Sequence, residues 1–150
     1  MAEVTINKMM KLSDHFTIGE LTKTSAKGID NTPSHAAVLN LKNLCENWLE
    51  ELRQRYNKPI LINSGFRSEA VNKAVGGEKG SNHLTGCAVD IHVMGPEQAI
   101  RYACILLDIA DGKKQEFDEL LIERSPKGGY WVHFAVRPKE NRRKVRFIQT

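Results

Sequence analysis

The sequence predicts a small α+β domain in which helices flank a central antiparallel sheet. Two segments carry apolar residues at the three- and four-residue spacing of amphipathic helices, and other runs have the β-branched and aromatic character of strands between Gly/Pro turns. The length of 150 residues, with 41% hydrophobic and 27% charged residues, suits one hydrophobic core. We therefore expect a single domain over residues 1–150, with its core at about 16–136 and an edge strand after it.

The long helix that follows residue 33 has the strongest pattern. Ser34 is a suitable N-cap, and Pro59 is expected to stop the helix. Between them runs a stripe of apolar residues, Val38, Leu41, Leu44, Cys45, Trp48, Leu49, Leu52 and Tyr56. A second amphipathic helix is expected to begin at Pro96 and to close at Gly112. A shorter helix is predicted within 68–75.

Strand-like runs follow the long helix and occupy most of the last third of the chain. Residues 12–33 mix isolated apolar residues with turn formers, which predicts an irregular segment. The predicted strands are PILIN before Gly65, GCAVDIHV at 86–93, FDELLIER at 117–124, YWVHFAVR at 130–137 and KVRFIQ at 144–149. Since SPKGG has hairpin length, the third and fourth runs should pair with each other.

Charge, cysteines and the chain start bound the possible partners. The net charge is +4, and a basic cluster near the end contains Arg137, Lys139, Arg142, Arg143, Lys144 and Arg146. A solvated edge strand explains this cluster better than nucleic-acid binding, because no nucleic-acid motif accompanies it. The three cysteines form no CxxC pair, so reduced thiols are expected.

The first residues, Met-Ala-Glu-Val-Thr-Ile, lack the basic start and apolar run of a signal peptide. No apolar run is long enough to cross a bilayer, so we expect no membrane association and synthesis in the cytoplasm. We also expect the protein to be a monomer. Release by lysis, passage by a separate export factor and a prophage remnant that stays inside are all compatible with such a chain.

Two histidines and one aspartate could form a metal site. His83 lies in a glycine-rich loop, Asp90 follows seven positions later in a predicted strand, and His133 lies in another strand. Two imidazoles and one carboxylate can hold zinc while leaving a fourth position open for water. Zinc in such a site polarises a carbonyl and lowers the pKa of water, which supplies a nucleophile for hydrolysis.

Several separated motifs occur around these residues in one order. They are Ser64-Gly65-Phe66-Arg67-Ser68, Val71-Asn72, Val75-Gly76-Gly77, Ser81-x-His83-x-x-Gly86-x-Ala88-x-Asp90 and Trp131-Val132-His133. Over about residues 16–136 the chain thereby resembles the M15 family of zinc D-alanyl-D-alanine carboxypeptidases and related phage endolysins. The resemblance implies a small α+β fold, Zn²⁺ as cofactor, and hydrolysis of peptidoglycan stem peptides as a carboxypeptidase or an endolysin-type endopeptidase.

The resemblance also assigns roles to single residues. It implies that His83, Asp90 and His133 bind zinc and that Arg67 binds substrate and stabilises the oxyanion, as a fixed guanidinium can. Arg67 could instead form an ordinary salt bridge near Asp90 or with Glu69. Ser81 could donate a hydrogen bond to substrate or cap its own loop.

The sequence departs from the family at the general base. Many members place an acid three residues before the last zinc histidine, where this chain has Tyr130. Glu123 is our candidate, because a carboxylate across the hairpin from His133 could reach the reacting water. Glu119 shares the strand face of Glu123, so it stays an alternative, as does Tyr130.

Two other functions are compatible with the sequence. Hedgehog signalling domains resemble this family and keep a metal site without peptidase work, so the missing acid at position 130 allows an inactive zinc-binding module that binds cell-wall or partner ligands. Glu123 would then be an exposed strand glutamate paired with Arg124 or Lys127. Nucleic-acid binding by the basic cluster is the third candidate, and it predicts a strongly salt-dependent affinity.

Overall fold

A five-stranded sheet organises the protein, whose computed structural model describes residues 5–150. The prediction about a signal peptide rests largely on residues 1–4, which lie outside the described range. In spatial order the strands are β3 (Ile62–Ser64), β4 (Ala88–His92), β6 (Tyr130–Ala135), β5 (Glu119–Arg124) and β7 (Lys144–Gln149). A separate two-stranded ribbon is formed by β1 (Lys11–Ser13) and β2 (Phe16–Thr17).

The predicted α+β fold class is confirmed, and the sheet is mixed in direction. Neighbouring strands are antiparallel except for β5 and β7, which run parallel. β6 ends beside the start of β5, and residues 136–143 stay at that end of the sheet, so β7 begins level with Glu119. Strand β7 is the predicted edge strand.

The helices occupy most of the predicted positions. They are α1 (Ile18–Leu21), α2 (His35–Leu44), a π-helical turn (Cys45–Leu49), α3 (Glu50–Tyr56), α4 (Glu69–Ala74), a 3₁₀ turn (Asn82–Thr85) and α5 (Pro96–Lys113). Within residues 5–150, no helix is both long enough and apolar enough to span a bilayer.

The long predicted helix forms as α2, the π turn and α3 in continuous succession. Ser34 caps it by accepting a hydrogen bond from the amide of Ala37 at 3.1 Å. It ends before Pro59, but the residue that closes it is Asn57, which adopts the left-handed conformation (φ 61°). The prediction that α5 closes at Gly112 was wrong, since α5 continues to Lys113 and Lys114 takes the left-handed position (φ 53°).

The hydrophobic core lies between these long helices and one face of the sheet. The ring of Trp48, which the π turn presents to the sheet, packs on Phe134 at 5.0 Å and on Phe117 at 6.4 Å between centroids. Leu120 and Ile122 of β5 face this core and are buried. Because strand residues alternate in direction, Glu119, Leu121 and Glu123 point to the other face.

That other face carries a row of paired residues crossing every strand of the sheet. Ser64 pairs with Asp90, Asp90 with His133, His133 with Leu121, and Leu121 with Arg146. Residues paired in register point to the same side of a sheet. Two predicted metal ligands therefore lie in the middle of the row, and a cation lies at its β7 end.

A buried carboxylate fixes the segment between β6 and β7. Asp118 is fully buried and accepts hydrogen bonds from Arg142 Nε (3.0 Å) and Nη2 (2.8 Å) and from Asn82 Nδ2 (2.8 Å). Arg137 Nε adds an ion pair at 3.2 Å. Arg143 also pairs with Asp111 at 2.9 Å. Three of the six members of the basic cluster, Arg137, Arg142 and Arg143, therefore form ion pairs within the fold.

Asp118 should make stability depend on pH. Burial alone raises its pKa, but the hydrogen bonds from Arg142 and Asn82 outweigh burial and lower the pKa to about 2. A carboxyl with a lowered folded-state pKa stabilises the fold above its unfolded pKa, and this contribution disappears as pH falls towards 2. The expected contribution is on the order of 2 kcal/mol at neutral pH.

Thermal unfolding measured between pH 7 and pH 2 checks this prediction. An Asp118→Asn variant should unfold at lower temperature than the wild type at pH 7, and the difference should shrink as pH falls. The matched Asp111→Asn change removes a more exposed partner and should cost less. An unchanged difference at pH 2 and pH 7 would contradict the assignment.

Candidate metal centre

The three predicted ligands come together on the polar face of the sheet. His83 lies on the 3₁₀ turn, while Asp90 and His133 are directly paired on β4 and β6. One ligand atom from each residue lies within 4.8 Å of the other two. All three side chains are buried, so they form a preformed donor cluster rather than a group of solvated surface residues.

Ring orientation leaves one nitrogen of each imidazole directed at Asp90. The Nδ1–H of His83 donates to the carbonyl of Gly65 at 2.6 Å, and its Nε2 lies 3.4 Å from Asp90 Oδ2. His133 Nδ1 lies 3.0 Å from Asp90 Oδ1. Two ligands of a tetrahedral zinc ion lie about 3.3 Å apart when each bond is about 2.0 Å, so these separations suit zinc.

Two close backbone approaches hold His83 in place. A Cβ on Gly65 would lie 2.3 Å from the carbonyl oxygen of Leu21, so only glycine allows the chain to present its own carbonyl to His83. Gly86 ends the 3₁₀ turn at a φ of 74°, and a Cβ there would lie 2.5 Å from Ala37 O. The glycines around the histidine therefore serve packing and ligand orientation together.

Arg67 lies at the β3 side of the cluster. Its Nη2 forms an ion pair with Asp90 Oδ2 at 3.2 Å, and its Nε donates to Ser64 Oγ at 3.1 Å. Asn72 Oδ1 accepts from Nη1 at 3.4 Å. The salt bridge considered for Arg67 is present, to the predicted ligand Asp90, and 18% of the Arg67 side chain is exposed. Its binding of substrate stays a prediction.

Glu119 contacts one of the predicted metal ligands directly. Its Oε1 accepts hydrogen bonds from His133 Nε2 at 3.0 Å and from Asn82 Nδ2 at 2.8 Å. The bond from His133 is the main reason that the pKa of Glu119 is lowered. Glu119 therefore fixes the ring of His133 with its other nitrogen towards Asp90, as carboxylates behind metal-binding histidines do.

Glu123 lies on the same face, on the other side of Leu121. Its Oε2 accepts a hydrogen bond from Trp131 Nε1 at 3.0 Å, which fixes the carboxylate in position. Burial raises its pKa, and the charges of His133, Asp90 and His83 act on it as well. Glu123 is thus a half-buried carboxyl beside the cluster without a bond to any ligand.

The remaining candidates occupy other positions. Tyr130 packs against the hydrophobic core, and strand alternation directs it away from the face of His133, so it is not placed for proton transfer. Ser81 Oγ accepts from the amide of His83 at 3.2 Å, which is the capping role, and its contact with substrate stays a prediction. Of the cysteines, Cys45 and Cys87 are buried and Cys104 is exposed.

Electrostatics favour a positive charge at the cluster. Burial by itself lowers the pKa of His133, but hydrogen bonds to Asp90 and Glu119 outweigh burial and raise it to about 9. Asp90 correspondingly has a pKa far below its usual range, because the two histidines outweigh its burial. The carboxylates of buried Asp90 and partly buried Glu119, next to His133, stabilise a cation at the cluster.

Comparison with known proteins identifies the family of this chain. A family model described as Peptidase M15 matches residues 14–121, which include Arg67, His83 and Asp90. The chain belongs to the peptidase M15 family. The matched residues end before Glu123 and His133, so the role of His133 as a metal ligand stays a prediction.

A curated relative carries a similar sequence. The zinc D-Ala-D-Ala carboxypeptidase of Streptomyces albus G is 35% identical over an alignment of 95 residues that covers 58% of this M15 chain. The matched stretch spans only 37% of that relative.

The sequence did not reveal Asn82 and Asp118 as parts of the site's support. Their signal was weak, an Asn beside His83 and an Asp beside Glu119, and only the fold shows that they contact each other.

Proposed function

We propose that this M15 chain is a zinc peptidase that hydrolyses peptides of the bacterial cell wall, and that residues 1–150 form one such domain. One observation supports this proposal most strongly. The buried cluster of His83, Asp90 and His133 lies on one face of the sheet, with Arg67 on one side of it and Glu123 on the other. Such a face would combine groups that bind a metal, a group that binds an anion and a group that transfers a proton.

The three cluster residues would hold the zinc, with the carboxylate between the two imidazoles. When bound, zinc polarises the scissile carbonyl and lowers the pKa of water. Gly65 and Glu119 orient the two rings from behind, so the ligand nitrogens need little rearrangement on loading. Three protein ligands leave room for water and substrate, as a catalytic site requires.

Arg67 would bind the negative charge of substrate at the β3 side. Its guanidinium is held by Ser64 and Asn72, so its direction is fixed before substrate arrives. A fixed guanidinium can bind the carboxylate of a peptide terminus or stabilise the oxyanion of the attacked carbonyl. The first use favours a carboxypeptidase, consistent with the relative that is named a D-Ala-D-Ala carboxypeptidase.

Glu123 would accept the proton of the attacking water and pass it to the leaving amine. The half-buried carboxylate is held by Trp131 and contacts no ligand, whereas Glu119 is occupied by His133 and Asn82. A raised pKa also suits a group that must take up and release a proton near neutrality. These contacts support Glu123 over Glu119 as the general base.

The first experiment measures zinc content and peptide hydrolysis on one purified sample. The expected result is about one zinc per chain and release of D-alanine from a stem peptide that ends in D-Ala-D-Ala. A His133→Ala variant should lose both. Mass analysis distinguishes this cut from an endolysin-type cut within the stem.

Two other outcomes would decide against the proposal. Zinc without any product would favour the inactive binding module that the absence of an acid at Tyr130 suggests. A sample without zinc after equilibration with the metal would contradict the assignment of the cluster.

A further inference from the structure

The β7 end of the row carries two cations on the face of the metal cluster. Arg146 is paired with Leu121, which is paired with His133, and Lys144 is paired with Glu119. All these side chains therefore point to one side of the sheet. Of the basic cluster near the chain end, Lys144 and Arg146 are the members on this face of β7.

These two cations are not neutralised by protein carboxylates. Among the described residues 5–150, neither side chain forms an ion pair, whereas Arg137, Arg142 and Arg143 do. Arg146 Nη1 donates to the carbonyl of Val145 at 2.8 Å, and its other donors remain for solvent or a ligand. Nearby Glu119 and Glu123 are held by His133, Asn82 and Trp131.

The distance of Lys144 and Arg146 from the metal cluster indicates which part of a bound peptide they would contact. Strands are about 4.8 Å apart, so the backbone of Arg146, two strands from His133, lies about 10 Å from it. An extended peptide rises about 3.3 Å per residue, so this separation corresponds to about three residues. Arg67 lies on the opposite side, towards β3.

A substrate whose leaving residue lies at Arg67 would extend its acyl portion over Leu121 towards β7. Leu121 offers an apolar floor between the cluster and Arg146. We propose that Arg146, assisted by Lys144, binds a carboxylate of the substrate about three residues on the acyl side of the scissile bond. This inference rests on the proposed function and names the substrate class more narrowly, as peptides that are acidic at that position.

Stem peptides offer a matched pair of probes for this subsite. In L-Ala-γ-D-Glu-L-Lys-D-Ala-D-Ala, the D-glutamate lies three residues before the terminal bond and keeps a free α-carboxylate. Its α-carboxamide form has the same shape without the charge. The zinc-loaded wild type should show a KM for the acid about three- to fivefold below that for the amide, the size expected of an exposed ion pair.

Variants assign the preference to β7. Arg146→Gln with Lys144→Gln should abolish the preference for the acid by raising the KM for the acid, and the KM for the amide should change less. Lys139→Gln removes one charge from the same basic cluster outside β7 and should keep the preference. Raising the salt concentration should weaken the preference in the wild type, because exposed charges are screened.

Binding measured without turnover separates this proposal from the proposed function. Titration of both peptides into zinc-loaded Glu123→Gln protein reports the subsite even if no peptide is cleaved. Tighter binding of the acid that is lost with Arg146 would support the subsite, and absence of hydrolysis would then contradict only the peptidase. Equal affinity for acid and amide, or equal loss of both in the β7 variant, would overturn the subsite.

Discussion

A Glu123→Gln variant is expected to bind zinc like the wild type and to hydrolyse peptide about 10²- to 10⁴-fold more slowly, the usual contribution of a general base. Glutamine keeps the volume of glutamate, and its amide oxygen can still accept the bond that Trp131 Nε1 now gives to Glu123. The substitution therefore removes a proton acceptor and leaves the packing intact. The loss should fall on kcat rather than KM, because Glu123 would act only as charge moves in the transition state.

The measurement combines zinc content with steady-state kinetics on the same preparation. Glu97→Gln is a matched control, since its side chain is 86% exposed on α5 and carries the same change in charge. Near-normal kcat in the Glu123 variant would remove this residue from the mechanism. In that event Glu119 would be the next carboxylate to test, because it is the other acidic side chain on the site-facing side of β5.

The sequence was sufficient for the two long helices and for the strands of the main sheet. Residues 12–33 were predicted to be irregular, but they contain β2, α1 and most of β1. Apolar spacing located the long helices. The resemblance of several ordered motifs to the M15 family implied His83, Asp90 and His133 as a ligand set, and the structure brings these three residues together. Strand alternation also placed Glu119 and Glu123 on one face. The positions of the helices and the faces of the strands depend on local periodicity, which can be seen in the sequence without knowing which strands pair.

What the sequence could not give is register. Parity puts Glu119 and Glu123 on the same side of β5, and the pairing of Leu121 with His133 leaves both carboxylates two residues from His133. Only the side-chain geometry shows that Glu119 is the one that reaches His133 Nε2. The parallel direction of β7 was equally hidden, because it depends on the path of residues 136–143. The basic cluster looked uniform in the sequence for the same reason, and only the fold shows that Arg137 and Arg142 pair with Asp118.

A Glu119→Ala variant is expected to bind zinc about 10- to 100-fold more weakly, the usual cost of removing a carboxylate behind a metal-binding histidine. In the wild type, Glu119 Oε1 accepts hydrogen bonds from both His133 Nε2 and Asn82 Nδ2. Removal of this carboxylate frees the ring of His133 to rotate. Asn82 would keep its bond to Asp118, so the fold should lose less than the metal site. Competition with a chromophoric chelator measures the zinc affinity directly.

Glu119→Gln separates orientation from charge at this position. Its amide oxygen can still accept the His133 bond, so zinc affinity should fall less than in the alanine variant. Glu116→Ala, an exposed acid just before β5, should leave zinc affinity unchanged and controls for net charge. Unchanged affinity in Glu119→Ala would show that Asp90 alone orients His133. A loss as large in the glutamine variant as in the alanine variant would show that the negative charge of Glu119, rather than its hydrogen bond, stabilises the bound cation.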